Sequence, residues 1–571
     1  MKIYLFISTP LLVLFFLSAC TTGTDKKDVD IPTDSIFIAK GQMIFSQNCS
    51  ACHNFRQDGI GPQLGGLTAE VSPEWIKNFI KDPKAMIDAA DERALGLYEN
   101  FTTIMPPFNS YSDDDINGII AFINTKKAPD PRKSKKDPKA LKNPIPGPIP
   151  MSDLVVNIEL LTQIPPSSNE KPLTRIAKME VQPKSKELFV MDLRGKLYHL
   201  KGNQPEVFFD MASVRPNFIN MPGLATGFGS FAFHPEFAKN GILYTTHTES
   251  PGSGKADFEY PDSIKVTLQW VLSEWKTKQP GAFPFSGEGR ELFRVNMVTG
   301  IHGMQEITFN PLAKPGDADY GLLYVGLGDG GSAENGYSFI CHSTEKIWGT
   351  IVRIDPLGSD SRNGHYGIPK NNPFSKDTNP NTLKEIFAYG FRNPHRMSWT
   401  KTGMILASNI GHHNVEALNI IEAGRDYGWP IREGTFVIDP SQNMFNIYPL
   451  SADDEKNNIT YPVAQYDHDE GNAISGGFEY WGTAIPELKG KYLFGDIVKG
   501  RMFYVEMKDL KLGSQAPIKE WRVSLNGSLK TLTELCGAEK VDVRFGRDGK
   551  GELYIMTKPD GKVYRMLSSG G

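Results

Sequence analysis

Six stretches between residues 151 and 571 share one grammar, and that repetition constrains the fold more than any other feature of the chain. They are ELFVMDLRGKLYHL (187 to 200), GILYTTHTE (241 to 249), GLLYVGLGDGG (321 to 331), GMILASNIG (403 to 411), KYLFGDIVKGRMFYV (491 to 505) and GELYIMTKPDGKVYRM (551 to 566). Each combines glycine, a short apolar strand with a Leu-Tyr or Leu-Phe flavour, and a polar turn. In three of them a second strand follows almost at once. Units recurring about every 70 residues have room for four strands and a long loop. The pattern predicts a mainly β fold, a six-bladed β-propeller around a central channel over residues 151–571. A two-sheet sandwich, which needs less repetition, is the alternative. The 55 glycines and 40 prolines, set between β-branched and aromatic runs, agree with a turn-rich β protein.

The front of the chain is different. In QNCSACHNF, residues 47 to 55, two cysteines two residues apart are followed at once by histidine, the pattern to which haem c is covalently attached. Cys49 and Cys52 would take the vinyl groups, and His53 would ligate the iron. SIFIAKGQMIFSQ (35 to 47) spaces its apolar residues as a helix, and GIGPQLGG after the histidine offers a glycine turn that can pass close over a flat ligand. PEWIKNFIKDP restarts a helix with Pro73 in its first turn. In IMPPFNSYSDDDINGIIAFINT, Ser112 is an N-cap and Asp113 to Asp115 suit the helix dipole. Ile116, Ile119, Ile120 and Ile123 make one apolar face. The segment predicts a small all-α cytochrome c domain over 36–125. Met105 precedes two prolines and the closing helix, and resembles the Met-Pro-Pro-Phe loop of small class I cytochromes c. That likeness makes it the sixth iron ligand; otherwise it is a gap-filling loop methionine.

Lys2 and the apolar run to Cys20 have the length of a secretory leader. Its end, Leu17 to Cys20, resembles the bacterial lipobox, which implies cleavage of residues 1–20, a lipidated Cys20 and a periplasmic or cell-surface protein held to a membrane only by lipid. An uncleaved anchor helix is the other possibility. Residues 126–150, dense in lysine and proline, read as an extended, solvated linker. A net charge of −4 provides no basic field for phosphate backbones, so nucleic-acid binding is not expected. Five cysteines leave Cys341 and Cys536 after lipid and haem, either paired or as two buried thiols.

Six blocks in the large domain carry a family resemblance. GFGSFAFHPEFAKNGILY, LLYVGLGDGG, IVRIDPLG, IFAYGFRNPHRMSW, NIGHHNVEALNIIEAGRDYGWP and GGFEYWGTAIPELKGKYLFGD resemble, in order, blocks of the soluble quinoprotein glucose dehydrogenase and sorbosone dehydrogenase family. The resemblance implies a propeller that binds pyrroloquinoline quinone (PQQ) and calcium and oxidises an aldose or related sugar.

It also implies roles. His302 falls where the family's base stands, and a neutral imidazole suits proton removal from a sugar hydroxyl; the bland reading is a core or turn histidine. The chain departs from the family just after it, where Met304, Gln305 and Glu306 stand. Arg392 and Asn393 match the cofactor-binding Arg-Asn-Pro block, with an inter-blade salt bridge as the structural alternative. The Gly411 and His412 carbonyls align with calcium ligands, and Glu416 with a second calcium. Lys499 sits near a family lysine that contacts the quinone. The last-blade arginines are out of register, leaving Lys540 or Arg544 to substitute.

The fusion makes functional sense as a quinohaemoprotein sugar dehydrogenase. Its own haem c would collect electrons from PQQ and pass them to a downstream cytochrome or oxidase. A non-catalytic propeller module carrying an electron-transfer cytochrome c is the alternative.

Overall fold

The computed structural model describes residues 31–50, 52–58, 61–101, 104–109, 111–129, 137–169, 171–221, 225–538 and 540–568. The leader, the Leu17–Cys20 motif and residues 130–136 of the linker lie outside the described residues.

Six helices build the N-terminal domain: α1 (Ser35–Asn48), α2 (Leu67–Glu70), α3 (Pro73–Lys81), α4 (Pro83–Asp88), α5 (Glu92–Phe101) and α6 (Asp113–Asn124). Asp34 caps α1 by accepting from the Ile36 and Phe37 amides, and α3 opens on Pro73 behind the Ser72 cap. At α6, Ser112 and Asp115 cap each other's backbone reciprocally, an arrangement worth about 1 kcal/mol. The four isoleucines of its apolar face are all buried. Ile119, Phe122 and Ile123 meet Phe45 of α1, whose ring stacks on Phe55 at 4.9 Å. This core fixes the segment that follows the haem motif.

Besides one small three-stranded sheet of Arg432–Glu433, Phe436–Ile438 and Ile447–Pro449, the rest of the described chain forms six four-stranded antiparallel units. Their innermost strands are Ile176–Val181, Phe228–Phe233, Met304–Phe309, Pro394–Trp399, Phe478–Glu479 and Val543–Arg547. Each contacts the innermost strand of the next unit, and the last contacts the first, so they ring a central axis. A two-sheet sandwich is thereby ruled out. Met151–Gln163 completes the sixth blade, pairing antiparallel with Lys562–Leu567 and parallel with Lys519–Leu525 of the fifth. The first and last strands of the propeller thus lock one another. Strands such as Phe228–Phe233 are buried at every position, because each lies between neighbouring blades. Their sequences therefore read as apolar runs rather than as alternation.

One expectation changes, and the open choice for the two remaining cysteines falls to separate thiols. Residues 137–150 are not a free tether. Asp137 donates to Asn446 Oδ1 (3.1 Å), Leu141 to the Ile447 carbonyl (2.9 Å) and Ile145 to Asp467 Oδ2 (3.1 Å). The backbone is strapped to the propeller, while Lys139 and Lys142 lie toward water. Cys341 and Cys536 are separate thiols, Cys341 buried and Cys536 partly exposed.

Candidate active site

In an antiparallel hairpin, the entry to the first strand and the exit from the second share one end. His302, Arg392 and Asn393 precede the first strands of blades three and four. Asp329 follows the second strand of blade three, and Gly411 and His412 the second strand of blade four. Residues far apart in sequence therefore meet on one rim of the channel.

His302 has a left-handed backbone, φ 53°, uncommon for a residue with a side chain but several-fold enriched in histidine. Its Nδ1 lies 2.7 Å from Asp329 Oδ1, and the acceptor-only carboxylate assigns the proton to Nδ1 and leaves Nε2 as the basic nitrogen. Asp329 is itself held. Its Oδ2 accepts from Trp429 Nε1 (2.9 Å), its Oδ1 from the Gly331 amide (2.8 Å), and its own amide donates to the Arg392 carbonyl (2.8 Å). Burial, then the nearby Arg392 charge, push the His302 imidazole below its ordinary value, outweighing Asp329. A neutral, oriented imidazole results.

The Arg392 guanidinium donates to Glu334 and to the Gly411 carbonyl, and lies 5.7 Å from the Trp429 ring centre. Burial works against the Glu334 carboxylate, but Arg392 and His412 outweigh it and hold it well below the usual range. His412 Nδ1 stands 3.2 Å from the same carboxylate, off hydrogen-bonding geometry. Where the sequence departs from the family pattern, Gln305 Oε1 faces Asn393 Nδ2 (3.4 Å) and His395 Nδ1 (3.3 Å), and its carbonyl receives Arg396. Glu306 holds the buried Lys178 at 2.6 Å.

The last blade contributes a second cationic group. Arg544 pairs with Asp542 at 2.5 Å and Lys558 with the same carboxylate at 2.7 Å. Burial lowers the Lys558 ammonium to about 7, against the pull of Asp542. His395 is held well below its ordinary value by burial and then by the charges of Arg396, Arg544 and Lys558. Lys499 stands apart, exposed and donating to the Asp469 carbonyl at 2.8 Å.

Of the groups proposed for calcium, the Gly411 carbonyl and the Glu416 carboxylate are engaged by donors. The Gly411 carbonyl receives Arg392. Glu416 accepts from the Ile474 amide (2.9 Å) and the Gly411 amide (3.3 Å), and faces His468 Nε2 at 3.0 Å. Glu433 gathers the amides of His412, His413, Asn414 and Val415 on one oxygen, at 2.7 to 3.1 Å. Among the described residues, no group of three His, Cys, Asp or Glu side chains has the arrangement of a metal site.

In the helical domain, His53 Nδ1 lies 2.8 Å from the Pro62 carbonyl, which directs Nε2 away as the free ligand nitrogen. Gly61 matters by closeness, since a Cβ there would fall 2.5 Å from His53 Cε1. Met105 is half-buried in the loop before α6. Arg56, three residues past His53, donates to the Asn335 carbonyl at 3.0 Å, which brings the segment after the haem motif to the propeller.

Sequence reading missed Asp329, Glu334 and Glu433. The first two stand in the glycine-rich run GDGGSAENG, whose clustered turn residues are the available signal; Glu433 left none.

A six-bladed propeller with an oriented histidine on its channel rim, joined to a helical domain carrying CSACH, is a c-type cytochrome fused to a redox-type propeller. The chain belongs to the glucose/sorbosone dehydrogenase family, whose model matches residues 173–565, and a cytochrome c model matches residues 38–127. It is similar to the HIPL2 protein of Arabidopsis thaliana, 28% identical over 387 residues covering 60% of this chain and 53% of that protein. An aldose sugar dehydrogenase of Escherichia coli is 31% identical over 238 residues, 42% of this chain and 54% of that one. The chain spans about half the length of the curated relatives it matches. The crystal structure of the soluble aldose sugar dehydrogenase from Escherichia coli in the apo-form shares the fold, with a TM-score of 0.50 at 19% identity, covering 72% of this chain and 99% of that chain.

Proposed function

We propose that this protein is a PQQ-dependent sugar dehydrogenase that delivers electrons to its own haem c. The observation that carries the reading is His302, buried and neutral, with Nδ1 committed to Asp329 and so poised to take a proton through Nε2. Arg392 Nε, Asn393 Oδ1, His395 Nε2 and Arg544 Nε are buried polar atoms without a hydrogen-bond partner among the described residues. Such atoms are rare in native interiors, and four of them with two guanidiniums suit a flat, carboxylate-bearing quinone. PQQ, when bound, supplies a two-electron acceptor for hydride. Arg392 and Asn393 would hold it at the rim and Arg544 at the last blade. His302 removes the proton of the sugar C1 hydroxyl, while Asp329 keeps its tautomer and orientation. The calcium donors do not fit that ion in this arrangement, because the Gly411 carbonyl already faces a guanidinium and Glu416 is engaged by donors. No step is drawn through calcium.

The test is reduction of the haem band by a panel of aldoses after PQQ and calcium are added to purified protein. Reduction supports the assignment, and failure of PQQ to bind removes it. Because Arg392 spends both terminal nitrogens on Glu334 and Gly411, the non-catalytic propeller module is the reading that then stands. Lipid anchoring outside the cytoplasm remains part of the proposal on the strength of the Leu17–Cys20 motif, and is checked by fatty-acid labelling of parent and Cys20→Ser.

A further inference from the structure

The two domains meet through Arg56, Gln57 and Phe101 of the helical domain. Arg56, three residues past His53, reaches into the propeller, and its Nη1 donates to the Asn335 carbonyl at 3.0 Å. The seat is cut for it. Gly336 has φ +84°, and a Cβ at that position would fall 0.8 Å from Arg56 Nη1. Next to it, the buried Gln57 places Nε2 3.0 Å from Met444 Sδ. Phe101, at the end of α5, lies edge-on to His413 and Phe445, each 6.4 Å away, and those two rings are 3.7 Å apart. His412 joins the group at 5.7 Å from Phe445.

The turn that receives Arg56 is also the turn that builds the site. Within nine residues it carries Asp329, which orients His302, Glu334, which pairs with Arg392, and Asn335 and Gly336, which hold Arg56. With the cytochrome seated, His302 is 6% exposed, Arg392 3% and Asn393 4%. The strapped residues 137–150 shorten the free tether between the domains.

We propose that Arg56 and the Asp329–Gly336 turn form a built electron-transfer seat, in which the cytochrome caps the propeller channel and must lift for sugar to enter. The redox half rests on the dehydrogenase reading above; the seat itself does not. Oxidation of a sugar C1 hydroxyl to the lactone releases two electrons and two protons. Ferric haem takes one electron at a time, so an external one-electron acceptor, such as a soluble cytochrome, must empty it between the two transfers. Capping serves this sequence, because it holds the segment after the haem motif against the Asp329–Gly336 turn during both transfers and keeps bulk water out.

The test compares full-length parent, Arg56→Glu and Phe101→Ala, each carrying haem and supplied with PQQ. Hydrogen exchange is read over segments 329–337 and 443–447, with the blade-two strand Ile242–Glu249 as a control. The expected result is exchange at least about tenfold faster in both interface segments of both variants, with the control unchanged. Aldose-driven haem reduction should slow at least about tenfold, while reduction of dichlorophenolindophenol, which meets the channel directly, is retained or faster. Parental exchange in Arg56→Glu would overturn the seat, and faster exchange with parental haem reduction would overturn its electron-transfer role. If no aldose reduces haem or dye in the parent, the dehydrogenase reading and this redox role fall together, and exchange still decides the seat.

Discussion

His302 Nδ1 and Asp329 Oδ1 stand 2.7 Å apart, though 27 residues separate them in sequence. The aspartate is fully buried and anchored by Trp429 and its own turn, so the pair is rigid before any substrate arrives. Replacing His302 by Gln should slow aldose-driven reduction about 10²- to 10⁴-fold with PQQ still bound. Asp329→Asn should cost a comparable factor, because the amide offers no carboxylate to fix the tautomer. Stopped-flow reduction at saturating sugar measures both, and parental rates in either variant would make His302 a structural histidine.

The pH profile follows from the same pair. Burial and Arg392 lower the His302 imidazole from its ordinary 6.5, so the basic form dominates above that pH. The rate should therefore fall only on the acid side, below about 6.5. Unfolded protein binds a proton on this histidine more readily than folded protein. The stability that it contributes is thus present above about 6.5 and is lost as pH falls toward the folded value. An acid limb centred above 6.5 would assign the base to another group.

Lys558 provides a test of the anion site independent of turnover. Burial brings its ammonium to about 7, so near pH 7 to 8 part of the population is neutral. A carboxylate-bearing ligand beside it favours the charged form, and PQQ binding should take up protons from solution. Calorimetry in buffers of different ionisation enthalpy reads the uptake directly. Lys558→Met should abolish it, and an uptake that persists in that variant would place the titration elsewhere.

Glu334 compensates a guanidinium that is only 3% exposed. Glu334→Ala should destabilise the propeller by about 3–5 kcal/mol, since it leaves a buried charge alone. Arg392→Met added to it should recover part of the loss. Chemical denaturation of the single and double variants makes the comparison; equal stability of parent and Glu334→Ala would mean that the charge is solvated from the channel.

Met105→Ala should keep haem attached through Cys49 and Cys52 while losing the thioether ligand and lowering the potential. Disappearance of the sulfur-to-iron charge-transfer band is the expected signature. Its survival would rule Met105 out as the ligand.

What the sequence by itself determined is local in origin. The helix caps at Ser72 and Ser112, the isoleucine face of α6, the CSACH motif and the repeated strand units are each written within a few residues, where periodicity and capping chemistry act. They suffice for a small helical haem domain before six blades. The tertiary structure decided which residues from different blades share a rim. Asp329 comes to His302 because hairpin ends coincide, and Glu334 comes to Arg392 because blades three and four are neighbours in the ring. The same holds for three features that looked like something else in the sequence. The lysine-rich segment at 137–150 is strapped down by backbone hydrogen bonds that composition does not encode, and Glu416 spends its carboxylate on amides and His468. Arg56, an ordinary charged residue after a haem motif, finds its partner 279 positions away in a turn whose glycine leaves it room. Long-range pairing of this kind has no periodicity to read, since it depends on where the closed ring brings distant loops together.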